Sequence, residues 1–399
     1  MERSEVDSSR IRETLRTFGP AWLVMIADVD VASIITGFQV GAEWKYVMVS
    51  VMLALTVPLF VIQDAAGTLG TVSGLSLGTA IKKVYGRRVA LLSSVPMAIT
   101  DVLEYIAEYA GIAVGLSLLG VPVVLGLMLA FAFHVAVAWS GRYRHAEAFL
   151  LPISFVLVAA LIYTAVIVRP DPSSLLGSLL APWPLEKPSF DYMLAASVGS
   201  VIMPWMLFFH SGADVRKGLR PEDLRPERLE TLVGAVVSEL LMAATVVVGI
   251  FLGGYAGSAL DARSLAEALA PLGTWSRYVI GAGFIASGFL ALVVISLGSA
   301  WGVIEALNIK RDTWAYRLIY LFESVPAVLV VMFSRNLIGL VLDMMVGFTI
   351  VLAPLLYLLG RISSREDIMG RARLRGPRAV AYWAFSALVV VSGLLAILL

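Results

Sequence analysis

The sequence predicts an all-α membrane protein of 11 transmembrane helices, built as a 5+5 inverted repeat plus one appended helix, with helices one and six interrupted. Three observations carry this. The 399 residues are 59% hydrophobic and only 15% charged, with a mean hydropathy of +0.88, a balance that soluble domains of this length do not show. Eleven apolar runs recur at bilayer-crossing length. Two of these runs, the first and the sixth, carry residues that an unbroken membrane helix tolerates poorly: Asp28 and Asp30 in one, Met203-Pro204-Trp205 in the other.

The runs fall at roughly 18–38, 46–69, 89–119, 122–140, 146–168, 191–213, 229–253, 276–306, 314–333, 337–359 and 379–399. Pro58, Pro96, Pro152, Pro326 and Pro354 lie inside spans, where neighbouring helices can satisfy the freed backbone. The stretch Ser4 to Arg16 is polar and has no signal-peptide apolar core, so the first run is read as a retained span. The connections are too short for a soluble domain. One transmembrane domain over 1–399 is expected, with repeat one at about 18–168, repeat two at about 191–359 and the extra helix at about 379–399. The repeat rests on the spacing of the two breaks.

Lysine and arginine set the orientation. With a cytoplasmic N-terminus, inner segments hold Arg3, Arg10, Arg12, Arg16; Lys82, Lys83, Arg87, Arg88; Arg142, Arg144; Arg216, Lys217, Arg220, Arg225, Arg228; Lys310, Arg311, Arg317; and Arg361, Arg365, Arg371, Arg373, Arg375, Arg378. That is 24 of the 30 basic residues; Lys45, Arg169, Lys187, Arg263, Arg277 and Arg335 are left to outer segments. Eleven spans then put the C-terminus outside. An integral protein of the plasma (inner) membrane is expected, as a monomer in lipid. A net charge of +1 gives no reason to expect nucleic acid. The absence of cysteine removes thiolate metal sites and cysteine nucleophiles.

An Asp at bilayer depth costs roughly 2.5–3.5 kcal/mol on insertion scales. The usual solution is a helix that breaks and turns its carboxylates and freed carbonyls toward a cavity or ion. The two breaks are therefore read as one cation site. Asp30 would supply a carboxylate, Ser33 a hydroxyl, and Ala27 and Ser200 carbonyls; Pro204 has no N–H to bond Ser200. Met203 would add a thioether. Oxygen donors suit Mg²⁺ or Mn²⁺, and a thioether favours softer transition ions. Asp28 is read as a neighbouring or access carboxylate, or as a hydrogen-bond partner of another helix. Asp101, Glu104 and Glu108 share one face of span three and read as a proton or cation path. His210, about two helical turns after Met203, could carry a proton. Glu239 and Asp343 are further intramembrane acids without an assigned role, and His134 is read as packing.

The first break, Gly19-Pro20-Ala21-Trp22-Leu23 … Asp30-Val31-Ala32-Ser33, resembles the NRAMP divalent-metal transporters, whose first helix reads G-P-G-F-L … D-P-G-N. Val201-Ile202-Met203-Pro204-Trp205 … Phe209-His210-Ser211 is similar to that family's V-M-P-H … L-H-S. Gln63 … Leu69-Gly70-Thr71-Val72-Ser73-Gly74 resembles Q … L-G-V-V-T-G, Asp101 and Glu104 match D-x-x-E, and Arg144-His145-Ala146-Glu147-Ala148-Phe149 resembles R-K-L-E-A-F. The resemblance covers spans one to six. It implies the LeuT-type fold, alternating access and uptake of Mn²⁺, Fe²⁺ and similar ions, usually with protons. It places Asp30, Ser33 and Met203, with the carbonyls of Ala27 and Ser200, as metal ligands, and His210, Asp101 and Glu104 on the proton pathway. The metal is substrate, and no cofactor is implied.

Two departures matter. D-P-G-N has become D-V-A-S, and M-P-H has become M-P-W. Trp205 cannot accept a proton. Divergent branches of the family include Mg²⁺ transporters, so a proton-independent Mg²⁺/Mn²⁺ carrier is the alternative to a proton-coupled Mn²⁺/Fe²⁺ importer. A cation channel and a carrier of organic solutes are lesser readings. An enzyme is not expected, because the chain offers no nucleophile with a base.

Overall fold

The computed structural model describes residues 17–139, 143–259, 261–310, 314–333 and 338–398. Arg3, Arg10, Arg12, Arg16, Arg142, Arg311 and Arg335, and the side chain of Arg144, lie outside the described residues. The described chain is helical throughout, without strands. The helices are α1 (Pro20–Ala27), α2 (Val31–Trp44), α3 (Val47–Ser73), α4 (Leu77–Tyr85), α5 (Arg87–Leu118), α6 (Val123–Trp139), α7 (Tyr143–Val168), α8 (Pro172–Ser178), α9 (Pro188–Val201), α10 (Pro204–Lys217), α11 (Leu224–Leu252), α12 (Ala262–Leu269), α13 (Ser276–Leu307), α14 (Trp314–Phe333), α15 (Ile338–Ser363), α16 (Glu366–Met369) and α17 (Pro377–Leu398).

Each expected span meets a helix or a helix pair. Among the described residues eight are long and apolar enough to cross a bilayer, and the bent pair α1–α2 makes a ninth. Helix α6 is a shorter apolar helix, so the count of eleven crossings stays an expectation. The five expected internal prolines lie inside helices. Helices α4, α8 and α12 are short elements in the connections, where the sequence reading had only loops.

The molecule buries a group of acids within its apolar core and exposes large apolar side chains on its surface. Leu92, Met128, Phe322 and Val380 are well exposed, whereas Asp28, Asp30, Asp101, Glu104 and Glu108 are fully buried. Water would penalise that surface, and lipid would not. Helix α13 packs along α5, and α11 packs along α2 and α3. Helices α9, α15 and α17 form a second group. Small residues allow the α2–α11 approach, as membrane helices favour. A Cβ on Gly41 would sit 2.1 Å from the Val246 carbonyl oxygen, and one on Gly249 would sit 2.3 Å from that of Phe38.

Gly41→Ala and Gly249→Ala should each destabilise the full chain by about 1–3 kcal/mol, because backbone blocks the added methyl. Gly254→Ala, with nothing within 4 Å, should stay within about 0.5 kcal/mol. Thermal unfolding in detergent would read the difference; equal melting temperatures for all three would refute the close-packing argument.

Candidate metal centre

The first break follows from where its backbone hydrogen bonds go. In an unbroken helix the N–H groups of Val31, Ala32 and Ser33 would bond the carbonyls of Ala27, Asp28 and Val29. Here Val31 and Ala32 instead donate to the two carboxylate oxygens of Glu108, at 3.1 and 3.2 Å. Ser33 donates to Asp30 Oδ1 at 2.6 Å, the N-cap role that aspartate favours. All three N–H groups at the start of α2 thus find carboxyl oxygens as acceptors. The carbonyls of Ala27 and Asp28 lose their helical donors, and that of Val29 takes the Ser287 hydroxyl at 2.8 Å. The axis bends by 48°.

The start of α1 is fixed in the same way. Gly19 and Trp22 donate to Glu230 Oε1, each at 2.8 Å. Gly19 sits at φ 143°, and a Cβ there would collide with Glu147, so this position requires glycine.

The second break is shorter. Ile202 and Met203 are extended, and Pro204 opens α10. Pro204 has no N–H for the Ser200 carbonyl, and that carbonyl accepts the Ser33 hydroxyl at 2.8 Å. This one bond joins the two breaks. Met203 donates its N–H to Met206 Sδ at 3.3 Å, and its own side chain takes the N–H of Met206. Asp30, Ser33, Ser200 and Met203 are all fully buried.

Around this joint the structure gathers acids. Glu104 lies beside Asp30 and accepts Trp205 Nε1 at 3.0 Å. Asp101 lies near Glu323, and Ser299 donates to Glu323 at 3.1 Å. Tyr105 donates to the other Glu323 oxygen at 3.1 Å. Asp28 faces α11, taking the Ser238 hydroxyl at 3.2 Å with Glu239 nearby. Among the described residues no lysine or arginine forms an ion pair with any of these groups. Asp30 Oδ2, Asp28 Oδ1, Glu104 Oε2 and both oxygens of Asp101 and Glu239 have no hydrogen-bond partner. Buried carboxylates without partners are costly. Protons or a metal cation must therefore neutralise them.

The structure thus brings Asp30, Ser33, Ser200, Trp205, Glu104 and Glu108 together, with Ala27 and Met203 at the two chain breaks. It places His210 elsewhere, against Gln63 at 3.0 Å and Glu227 at 3.2 Å. Asp343 bonds Tyr192. His134, read as packing, is hydrogen-bonded on both nitrogens, to Tyr109 and Ser296. Glu323 was missed, although the signal that singled out Asp30, an acid inside an apolar run, applies to it equally. Glu227 was missed because it sits between Pro226 and Arg228, before the expected start of span seven at 229, and reads as loop. Glu230 lies just inside that span, beside its basic edge, and reads as a helix end. Helix α11 begins at Leu224 and carries both into the protein.

The fold and sequence have relatives. The structure of a manganese transporter from Eremococcus coleocola superposes with a TM-score of 0.83 at 18% identity, over 96% of this chain and 86% of that one. MhsT bound to L-phenylalanine, a LeuT-fold structure, gives a TM-score of 0.64 at 15% identity, over 95% and 97%. Both likenesses concern the fold alone. The divalent metal cation transporter MntH of Chromohalobacter salexigens is 24% identical over 386 residues, 88% of this chain and 86% of its own. That of Bacillus subtilis is 24% identical over 398 residues, 95% and 91%. Residues 21–399 match the sequence pattern of the natural resistance-associated macrophage protein-like (Nramp) proteins, and with nearly the whole chain covered, this protein belongs to the Nramp family.

Proposed function

We infer that this protein imports divalent metal cations of the Mn²⁺/Fe²⁺ kind across the plasma membrane by alternating access. The observation that carries the reading is the joint between the two breaks: a buried carboxylate, Asp30, with one oxygen unpartnered, beside carbonyls freed from their helices and, among the described residues, without an ion pair to lysine or arginine. The MntH names of the relatives support the substrate class. Asp30 is the charged ligand. Ser33 and the carbonyls of Ala27 and Ser200 supply neutral oxygens, and Met203 supplies a sulfur once it releases the Met206 N–H. Cation arrival would compete with the Ser33–Ser200 bond, so loading the site loosens the contact that ties the two broken helices together. That gives the ion a differential effect on two conformations, which a carrier needs.

Protons are the coupled partner in this reading, moving over Asp30, Glu104, Asp101 and Glu323. Glu108 does different work, because both its oxygens cap α2. The proton-independent Mg²⁺/Mn²⁺ alternative is favoured by one contact: Trp205 only donates, and it holds Glu104 by that donation. The protein acts as a monomer with its N-terminus in the cytoplasm.

Reconstituted vesicles with an internal pH dye, offered Mn²⁺ and Mg²⁺ separately, test the reading. Saturable Mn²⁺ entry with internal acidification is the expected result; Mg²⁺ entry at constant pH would move the chain to the alternative. Asp30→Ala should reduce Mn²⁺ uptake to the level of empty vesicles, and parental uptake would place the site elsewhere. Glu108→Gln leaves one N–H of α2 facing an amide NH₂. It should lower stability by about 1–2 kcal/mol and speed hydrogen exchange at Val31 and Ala32. Unchanged exchange would return Glu108 to the ion path.

A further inference from the structure

We propose that His210, Asp214 and Glu227 form a second divalent-cation site, separate from the one at Asp30 and lying on its cytoplasmic side. His210 and Asp214 are one turn apart on α10 and share a face. Glu227 reaches them from α11. One ligand atom from each residue can be chosen so that all three lie within 4.8 Å of one another. His210 Nε2 and Glu227 Oε1 are 3.2 Å apart. Two ligands each about 2.1 Å from one metal ion sit roughly 3.0–3.4 Å apart, so this pair already has the spacing of neighbouring ligands.

Second contacts orient the donors as metal sites require. Gln63 Oε1 faces His210 Nδ1 at 3.0 Å, which makes Nδ1 the donor and leaves Nε2 for a metal or a proton. Thr71 holds Asp214 Oδ2 at 3.1 Å, and Thr231 holds Glu227 Oε1 at 2.9 Å. Asp214 Oδ1 and Glu227 Oε2 are buried and have no hydrogen-bond partner. The nearby Lys217 is engaged by Glu147 and the Phe18 carbonyl, and Glu230 by the start of α1.

The wall opposite is glycine. A Cβ on Gly67 of α3 would lie 2.0 Å from Glu227 Oε1 and 2.8 Å from His210 Nε2. A methyl group there would fill the space between the ligands. Gly67 is an ordinary helical position, so its lack of a side chain is explained by the cluster and not by backbone geometry. Imidazole plus two carboxylates suits Mn²⁺, Fe²⁺ or Zn²⁺. Helix α10 runs from the break at Met203 to the basic inner segment at Arg216 and Lys217, so an ion leaving Asp30 along α10 meets this cluster next. That position on the route rests on the proposed transport function; the binding itself does not.

The two sites differ in a spectroscopic readout. The Asp30 site offers oxygen and sulfur, and only the second offers nitrogen. Mn²⁺ bound to the purified full chain in detergent, followed by pulsed electron paramagnetic resonance, should show ¹⁴N coupling. His210→Ala should abolish the coupling, and Asp30→Ala should preserve it with one fewer Mn²⁺ per chain. Gly67→Ala, with an unchanged melting temperature, should weaken the nitrogen-coupled ion by about tenfold or more and serves if His210→Ala does not fold. Absent nitrogen coupling in the parent, or coupling that survives in His210→Ala, would overturn the site and leave a structural His–Glu pair. If Asp30→Ala keeps every Mn²⁺ but His210→Ala loses the nitrogen-coupled one, the transport-site reading fails while this one stands.

Discussion

Between Ala27 and Ser33 three N–H groups and three carbonyls give up their helical partners in a part of the protein that water does not reach. Backbone groups there must find other partners or the helix cannot stay broken. Glu108, Asp30 and Ser287 are the answers, and each dictates something larger. Glu108 ties α5 to the start of α2. Ser287 ties α13 to the Val29 carbonyl. Asp30, spent by one oxygen on its own helix, keeps the other free. The arrangement of α5 and α13 around the break is thus the means by which an interrupted helix is made tolerable, and the unpaired oxygen is its by-product.

Capping by carboxyl oxygens extends to the other half-helix. Glu230 receives two N–H groups where α1 begins, and its helix α11 also presents Ser238 to Asp28 where α1 ends. One long helix therefore grips both ends of a piece only eight residues long. Gly41 and Gly249 bring the same helix against α2. The broken span is held as two rigid pieces on one support, and the joint between them is the part left to change. A carrier needs that division, since a hinge works only when the bodies on either side keep their shape.

Much of this was legible in the sequence, and for identifiable reasons. Apolar run length marks spans because the bilayer fixes it. The breaks show as two acids two residues apart, Asp28 and Asp30, and as the family-like Met203-Pro204 pair. A proline or an acid alone is not enough, since Pro58, Pro96 and Glu104 lie inside unbroken helices. Those rules are local. What was not legible depends on register between distant helices. Nothing in Asp101-Val102-Leu103-Glu104-Tyr105-Ile106-Ala107-Glu108 says that the last acid caps a helix 76 residues away while the middle one takes an indole N–H. Likewise His210 shares a face with Asp214, which spacing shows, but its meeting with Glu227 required knowing that α11 starts before the arginines end.

The two departures from the family pattern act on different partners. A serine hydroxyl can donate its hydrogen to the Ser200 carbonyl and still offer lone pairs to a cation, so Ser33 can serve the joint and the ion together. What it loses against asparagine is reach, so in the proposed binding role an ion would sit closer to α2 or meet Ser33 through water. Trp205 is a stricter change. Its indole gives a hydrogen bond to Glu104 and can neither take a proton nor pass one on. Under the proposed proton coupling, residue 205 would take no part in the route, and the neighbouring groups able to hold a proton would be the carboxyls of Glu104, Asp101 and Glu323. Trp205 occupies Oε1 of Glu104 and leaves Oε2 without a donor, so Oε2 is the oxygen at which such a route would meet Glu104.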